Sequence, residues 1–100
     1  MVKHVILWQL KDEFSEEEKK KIKEDMVVAL KGLVGKVPGL LEVNVQVEGL
    51  ASSNAEVMLD TTLTDEEALK GYAVHPDHVE VADVYVRPFT KNRLCMDFVI

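Results

Sequence analysis

The stretch VKHVILWQL, residues 2–10, decides the fold of this chain. It is rich in β-branched and aromatic residues, which suit the pleated surface of a strand. Because side chains alternate along a strand, Val5 and Leu7 face one way while His4 and Ile6 face the other. Apolar residues on both faces indicate a strand that is covered on both sides. The helices of one protomer can cover only one side of a sheet, so the other side needs a second cover.

A long amphipathic helix is predicted after this strand. Ser15 and Glu18 form an S-x-x-E capping box, in which each side chain satisfies the other residue's backbone amide at a helix start. Apolar residues then recur at steps of three and four, as one face of a helix requires. These residues are Ile22, Met26, Ala29, Leu30, Leu33 and Val37. Gly35 and the Pro38-Gly39 pair predict the end of the helix, because proline cannot continue it and glycine tolerates a left-handed turn.

Three more strands are predicted from alternating or two-sided apolar patterns. LEVNVQVEG, residues 41–49, alternates strictly, with Leu41 and Val43 beginning its apolar face and polar residues between them. AEVMLDTTL, residues 55–63, follows a short loop and is expected to pair with it in antiparallel fashion. RLCMDFVI, residues 93–100, is the last strand and, like the first, carries apolar residues on both faces.

Helical signals fill the segment before the last strand. Thr64 and Glu67 repeat the capping box and predict the start of a second, short helix. Pro76 suits the first turn of a further helix, where its missing amide would have no partner anyway. Arg87 and Pro88 predict the end of that helix, because the residue before a proline avoids the helical conformation.

The order strand, helix, strand, strand, helices, strand is typical of the ferredoxin-like split βαβ fold with a four-stranded antiparallel sheet. The chain is therefore predicted to be an α+β protein with a single domain over residues 1–100. Its helices should cover one face of the sheet. A monomer would expose the apolar residues on the other face, so we predict a homodimer in which two sheets pair into a dimeric α+β barrel.

Composition narrows the function further. The formal net charge is −6, which argues against nucleic acid as a partner, since that affinity comes largely from lysine and arginine. No apolar run approaches the ~20 residues that span a bilayer, so no membrane association is expected. Cys95 is the one cysteine and cannot form an internal disulfide, which fits a reducing compartment. We predict a cytoplasmic protein.

The seven residues YAVHPDH, 72–78, hold two of the three histidines and one of the two tyrosines. A neutral imidazole can remove a proton next to a carbonyl, and a phenol can donate a hydrogen bond to the resulting oxyanion. If Pro76 marks a turn between two helices, the side chains of Tyr72 and His78 can converge. The structural alternative is that His75 caps a helix, that His78 bonds to backbone, and that Tyr72 is an ordinary half-buried aromatic.

A metal is a further alternative for this segment. His75, Asp77 and His78 carry ligand atoms, but consecutive turn positions and the lack of a third well-spaced ligand argue against a metal site. We expect no metal and no cofactor. Nucleophilic catalysis also lacks support, because the chain has no G-x-S-x-G elbow and no phosphate-binding glycine loop.

Over nearly its whole length the sequence resembles the stress-responsive A/B barrel domain (Dabb) family. The resemblance is carried by VKHVILWQLKDEFSEEE (2–18), VPGL (37–40), YAVHPDHVEVADVY (72–85) and CMDFV (95–99). Its most specific part is the Tyr-x-x-His-Pro-x-His arrangement together with Asp97. The family implies a ferredoxin-like monomer that pairs through its sheet into an eight-stranded barrel. Its members include plant stress proteins without a settled reaction and a plant polyketide cyclase that needs no cofactor.

The resemblance also implies site residues. Tyr72 and His78 match the acid/base pair of the cyclase and are the predicted catalytic residues. The predicted ligand-binding residues are His4, Ile6, Trp8, Met26, Val57, His75 and Val81. Two of these positions depart from the cyclase, because Val57 replaces a pocket histidine and Val81 replaces a phenylalanine. Some relatives hold a cation through backbone carbonyls, which here would belong to Val34, Val37 and Leu40.

Three interpretations of the function remain open at this point. The first is a homodimer of uncertain activity that binds a small hydrophobic or aromatic carbonyl compound between sheet and helices. The alternative is a cyclase-like enzyme that uses the His78 and Tyr72 pair without a cofactor. A third reading, in which the cavity is filled by its own side chains and barrel assembly is the function, would leave His78 with a role in stability only.

Overall fold

The first strand, β1 (Val2–Leu10), lies inside a four-stranded antiparallel sheet. The computed structural model describes residues 1–100. Strand β1 pairs on one side with β3 (Val57–Leu63) and on the other with β4 (Thr90–Val99). Strand β2 (Leu40–Gln46) pairs with the far side of β3, which gives the order β2-β3-β1-β4. This is the predicted α+β, ferredoxin-like arrangement.

Three α-helices and one π-helical turn cover a single face of this sheet. They are α1 (Glu16–Lys31), α2 (Glu66–Val74), α3 (Pro76–Val81) and the π-helical turn at Ala82–Val86, which continues α3 directly. We call the covered side of the sheet the inner face and the opposite side the outer face. No helix is long and apolar enough to cross a lipid bilayer.

The start of α1 agrees with the sequence, and the start of α2 does not. Ser15 and Glu18 form the predicted capping box: Glu18 N donates to Ser15 Oγ at 3.1 Å and Ser15 N donates to Glu18 Oε1 at 2.9 Å. At α2 the capping residue is Asp65 rather than Thr64, and its Oδ1 accepts a hydrogen bond from Ala68 N at 2.8 Å. The Thr64 amide donates to the Gly39 carbonyl, 3.0 Å away, so it is not available for the reciprocal bond of a capping box with Glu67.

Two boundaries around the following turn also differ from the prediction. Helix α1 ends at Lys31, and the apolar residues that continue its stripe lie in turns that include Gly35, whose φ is +90°. Strand β2 begins with an irregular pairing between Leu40 and Glu42. Leu40 is therefore buried and Leu41 is exposed, the reverse of the strict alternation expected from the sequence. A register irregularity shifts side chains between faces.

The hydrophobic core lies between the inner face and the helices. Its largest buried side chains include Leu10, Met26, Leu33, Leu59, Leu63 and Tyr72. From β1 it receives Ile6, Trp8 and Leu10, at alternate positions of the strand. The helices of the same chain therefore cover one of the two apolar sides of β1.

The outer face carries apolar side chains without a cover in this chain. Leu94 and Met96 of β4 are 68% and 67% exposed, and they pair across the sheet with Leu7 and Val5. Phe98 extends the same row at 40% exposure. A contiguous apolar strip of this kind is unusual on the surface of a monomer and marks an interaction surface.

Candidate functional site

The junction between α2 and α3 brings Tyr72 and His78 together. His75 ends α2 and begins α3 in an extended conformation, and its Nδ1 accepts a hydrogen bond from Asp77 N at 3.1 Å. Pro76 then occupies the first turn of α3. The change of chain direction stacks the rings of Tyr72 and His78 with their centroids 4.2 Å apart and their planes inclined by 39°. The predicted convergence of these two side chains is therefore observed.

His4 reaches the same place from β1. Its ring lies 5.9 Å from that of Tyr72, in an edge-on arrangement. Across the strand pair, Asp97 of β4 is directly opposite His4, and Asp97 Oδ1 lies 2.5 Å from His4 Nδ1. With a proton on Nδ1, the carboxylate accepts this hydrogen bond and fixes the ring, which leaves Nε2 as the nitrogen available to a ligand.

A cavity of about 340 Å³ lies between the inner face and the helices, next to these rings. Its polar interior consists of His4, Tyr72 and His78. Its walls are apolar and consist of Ile6, Trp8, Leu30, Leu59, Leu69, Ala73, Ala82 and Val86. Its remaining lining residues are Arg87, Thr90, Lys91, Asn92 and Arg93. The volume falls within the range of about 300–1,000 Å³ that holds small-molecule ligands.

Buried polar atoms beside this cavity lack protein partners. Tyr72 Oη and His78 Nδ1 are fully buried and make no hydrogen bond. The same holds for Thr61 Oγ1, which lies elsewhere on the inner face. An unpaired buried donor or acceptor costs about 1–3 kcal/mol, so native proteins rarely leave one without a water or ligand. Two such atoms beside one cavity make it a candidate binding site for a polar group.

The protonation states of the pair are complementary. Burial raises the pKa of Tyr72 from 10.0 to about 12, so the phenol keeps its proton at neutral pH. Burial is the main cause that lowers the pKa of His78; the Ala73 backbone opposes this shift, and the nearby His4, Arg87 and Arg93 lower the pKa further. His78 is therefore a neutral imidazole at pH 7. The site presents one hydrogen-bond donor and one base side by side.

Five of the predicted site residues line the cavity: His4, Ile6, Trp8, Tyr72 and His78. The other four predicted ligand-binding residues do not. Met26 and Val57 are fully buried in the core, and Val81 packs against the core. His75 points away, because its ring is used to cap α3.

Five lining residues come from a segment that was not among the predicted site residues, RPFTKNR at 87–93. Arg87 and Pro88 were interpreted only as a helix end, and Lys91 and Asn92 were not assigned to any element. A signal was available, since this segment has three cations and no acidic residue, whereas the lysines at 19–23 are flanked by acidic residues. Strand β4 begins at Thr90, earlier than predicted, and Asn92 adopts a positive φ of 53° there.

Two places in the structure carry groups of the kind that bind cations. Ligand-type atoms of His4, Cys95 and Asp97 lie within 4.8 Å of one another. However, two ligands of a tetrahedral ion would be about 3.4 Å apart, from metal–ligand bonds of about 2.1 Å. The 2.5 Å between His4 Nδ1 and Asp97 Oδ1 is the length of a hydrogen bond. Burial, followed by Asp97, raises the pKa of the Cys95 thiol, which disfavours the thiolate that metals bind.

The second place is the loop after α1, where the resemblance implies a cation. The Val37 carbonyl accepts a hydrogen bond from Leu40 N at 3.2 Å. The cluster of His4, Cys95 and Asp97 is the one place where three ligand-type side chains lie close together, and it is not in this loop. A cation at this loop stays a prediction from the family alone.

Comparison with known proteins agrees with the fold. Olivetolic acid cyclase from Cannabis sativa is 29% identical over 97% of this chain and 94% of its own length. Among solved structures, a dimeric ferredoxin-like protein of unknown function from Bacteroides fragilis superposes with a TM-score of 0.91 at 24% identity, over 99% of this chain and 95% of that one. A hydroxynitrile lyase from Passiflora edulis shares the fold, with a TM-score of 0.79 at 13% identity over 99% and 92% of the two chains. The model of the stress responsive A/B barrel domain matches residues 2–100, and the chain therefore belongs to that family.

Proposed function

We propose that this protein binds a small hydrophobic or aromatic carbonyl compound in the cavity between its sheet and its helices. The observation that carries the proposal is the pair of buried, unpartnered polar atoms, Tyr72 Oη and His78 Nδ1, beside a cavity with apolar walls. A carbonyl oxygen accepts from the phenol, and an apolar body fills the space along Ile6 and Trp8. Binding removes the cost of burying the phenol without a partner.

The second part of the proposal is a homodimer formed through the outer face. Leu94, Met96 and Phe98 form an apolar row there, next to Val5 and Leu7. Covering this row with the same row of a second copy gives an isologous interface, the commonest kind in soluble oligomers. The Bacteroides fragilis neighbour is described as dimeric, which supports this assembly. Two sheets paired in this way make the expected α+β barrel, and the cytoplasm remains the predicted location.

A catalytic role is the alternative, and one observation favours it. The ring centroids of Tyr72 and His78 are 4.2 Å apart. At pH 7 Tyr72 has a proton that it can share in a hydrogen bond, whereas His78 is neutral and can accept a proton. His78 can take a proton from a carbon next to a carbonyl, and Tyr72 can donate a hydrogen bond to the oxyanion that forms. The cyclase among the relatives makes an intramolecular condensation a reasonable reaction to assay first.

Ligand titration tests both readings. The protein labelled with nitrogen-15 is titrated with aromatic carbonyl compounds and polyketide-like diketones, and amide shifts are followed along β1, α2 and α3. Tyr72→Phe should weaken binding by about tenfold, the value of one buried hydrogen bond of about 1.4 kcal/mol. Tyr85→Phe is the matched control, because Tyr85 does not line the cavity.

The outcomes separate the candidates. Binding that is weakened by Tyr72→Phe and left unchanged by Tyr85→Phe supports the ligand-binding proposal. Turnover of a diketone that disappears in His78→Gln as well as in Tyr72→Phe supports the enzyme. If no compound shifts the cavity residues, and His78→Gln changes only stability, then the cavity is not a ligand site and barrel assembly is the better explanation.

A further inference from the structure

The open end of the cavity has a charge opposite to that of the whole chain. The exposed or half-buried lining residues there include Arg87, Lys91 and Arg93. No aspartate or glutamate lines the cavity, although the chain has 18 acidic residues and only 12 basic ones. A net charge of −6 repels an anion at long range, so a local cluster of cations is what would allow one to approach.

These three cations are available to a ligand. Arg93 forms no ion pair with any carboxylate of the chain. Arg87 pairs with Asp83 one helical turn before it, and Lys91 Nζ lies 2.7 Å from Asp12 Oδ2, but both acidic partners are well exposed. Exposed pairs of this kind contribute about 0–1 kcal/mol and are screened by salt. A ligand anion can therefore compete for both side chains.

The cations also lie close enough to the polar interior to share one ligand with it. Arg87 and Arg93 both depress the pKa of His78, so their fields reach the imidazole. The apolar side chains of Ala82 and Val86 line the same cavity as His78 and the cations. A small molecule can therefore meet the phenol with one end and the cations with the other.

We propose that the cavity selects organic anions, with an apolar or aromatic body against its walls and a carboxylate or other anionic group at the mouth between Arg87, Lys91 and Arg93. The inference rests on the proposed function and deepens it, because it names the ligand class of the same cavity. Guanidinium groups bind carboxylates and phosphates through charge-assisted, often bidentate hydrogen bonds, which gives the ligand a fixed orientation as well as affinity.

Three matched probes test the charge requirement. 2-Naphthoate, 2-naphthamide and 2-naphthyl phosphate share one aromatic body and differ in charge, and their binding to the purified full chain is measured by calorimetry and by amide shifts. 2-Naphthoate should bind about tenfold more tightly than 2-naphthamide at low salt, the effect of one charge-assisted hydrogen bond at a partly exposed site. Raising the salt concentration should narrow this difference, because exposed charges are screened.

Variants of the mouth locate the effect. Arg93→Gln should remove most of the preference for 2-naphthoate and leave the affinity for 2-naphthamide unchanged, and Arg93→Lys should restore part of it. Lys20→Gln is the control for net charge, since Lys20 lies on α1, is exposed and does not line the cavity. The relative affinities of 2-naphthoate and 2-naphthyl phosphate then assign the mouth to carboxylates or to phosphates, and either result supports selection of anions.

The histidine gives a second readout. The ionisable groups that face His78 are His4 on β1, Tyr72 on α2, Arg87 after the π-helical turn and Arg93 on β4. An anion at the mouth offsets the two arginines, so 2-naphthoate should raise the pKa of His78 in an NMR titration and 2-naphthamide should not.

Two results would overturn the proposal, and they are distinct. Equal affinities of 2-naphthoate and 2-naphthamide, unchanged in Arg93→Gln, would show that the cavity binds aromatic bodies without regard to charge, so ligand binding would stand and anion selection would fall. If neither probe shifted the residues that line the cavity, the ligand-binding function would fall together with anion selection.

Discussion

The inner and outer faces of the sheet depart in opposite ways from the usual distribution of polar and apolar side chains. The inner face, which is buried, carries polar and titratable groups such as His4 beside the apolar Ile6 and Trp8. The outer face, which is exposed, carries the apolar row of Leu94 and Met96. Apolar side chains inside and polar ones outside are the ordinary case, so the exceptions are informative. The buried polar groups at the cavity support the proposed ligand site, whereas the exposed apolar row supports a partner on the outer face.

The inner face should carry most of the stability of each protomer. Trp8→Ala removes a core indole that is 5% exposed, and we expect the free energy of unfolding to fall by about 3–5 kcal/mol. Urea denaturation at fixed protein concentration measures this. The control is Val28→Ala on α1, where the side chain is 74% exposed and a change within about 0.5 kcal/mol is expected. Equal effects of both substitutions would mean that the stability of a protomer does not come mainly from the core on the inner face.

The outer face should carry the assembly. Met96→Glu places two symmetry-related charges in the proposed interface, and we expect self-association to weaken by at least about 100-fold, or roughly 3 kcal/mol. Light scattering at micromolar concentration should show a dimer for the unchanged protein and a monomer for the variant. Val28→Glu adds the same charge on the helical side and should remain dimeric. A dimer that tolerates Met96→Glu would mean that the outer face is not the interface.

The substitution Tyr72→Phe tests the role of the inner face in both the free and the ligand-bound protein. In the ligand-free protein, Tyr72→Phe removes an unpartnered buried hydroxyl, so we expect the variant to be more stable by about 1 kcal/mol. The same change should weaken ligand binding, because the phenol is the donor. Thermal or urea unfolding with and without ligand measures both effects, and Tyr85→Phe is the control. Loss of stability in Tyr72→Phe would show that the hydroxyl is already satisfied in the free protein.

The smallest expected effect is a dependence of stability on pH. Burial lowers the pKa of His78 below its ordinary value of 6.5, so the unfolded state binds the proton more readily than the folded state. The resulting contribution to stability is fully present above pH 6.5 and is lost as the pH falls through 6.5 toward the lowered value. His78→Gln should flatten the stability profile in this window. An unchanged slope would assign the pH dependence to other groups.

Local patterns were sufficient for most of the fold. The two-sided pattern of β1, the capping box at Ser15 and the apolar stripe from Ile22 predicted elements that the structure confirms. The predictions were wrong where backbone hydrogen bonds to another segment determine a helix start or the register of a strand. Thr64 forms no capping box with Glu67, since its amide donates to the Gly39 carbonyl, and Leu40 replaces Leu41 in the core because pairing with β3 is irregular there.

The candidate site was predicted in part. Tyr72 and His78 stand out by chemistry and spacing, and the family resemblance added His4, Ile6 and Trp8. The cations of the mouth were overlooked, because Arg87 belongs to a helix end and Arg93 to a strand, and no periodic pattern joins them. They meet only because the chain turns back between the π-helical turn and β4.

By itself the sequence determined the order of helices and strands and the need for a second cover on the sheet, because hydrophobic periodicity and capping are properties of neighbouring residues. The tertiary structure alone decided that Asp97 holds His4, that Tyr72 and His78 stack beside an open volume, and that three cations surround its mouth. These features join residues as many as 93 positions apart, and only the packing of the sheet against its helices fixes such distances.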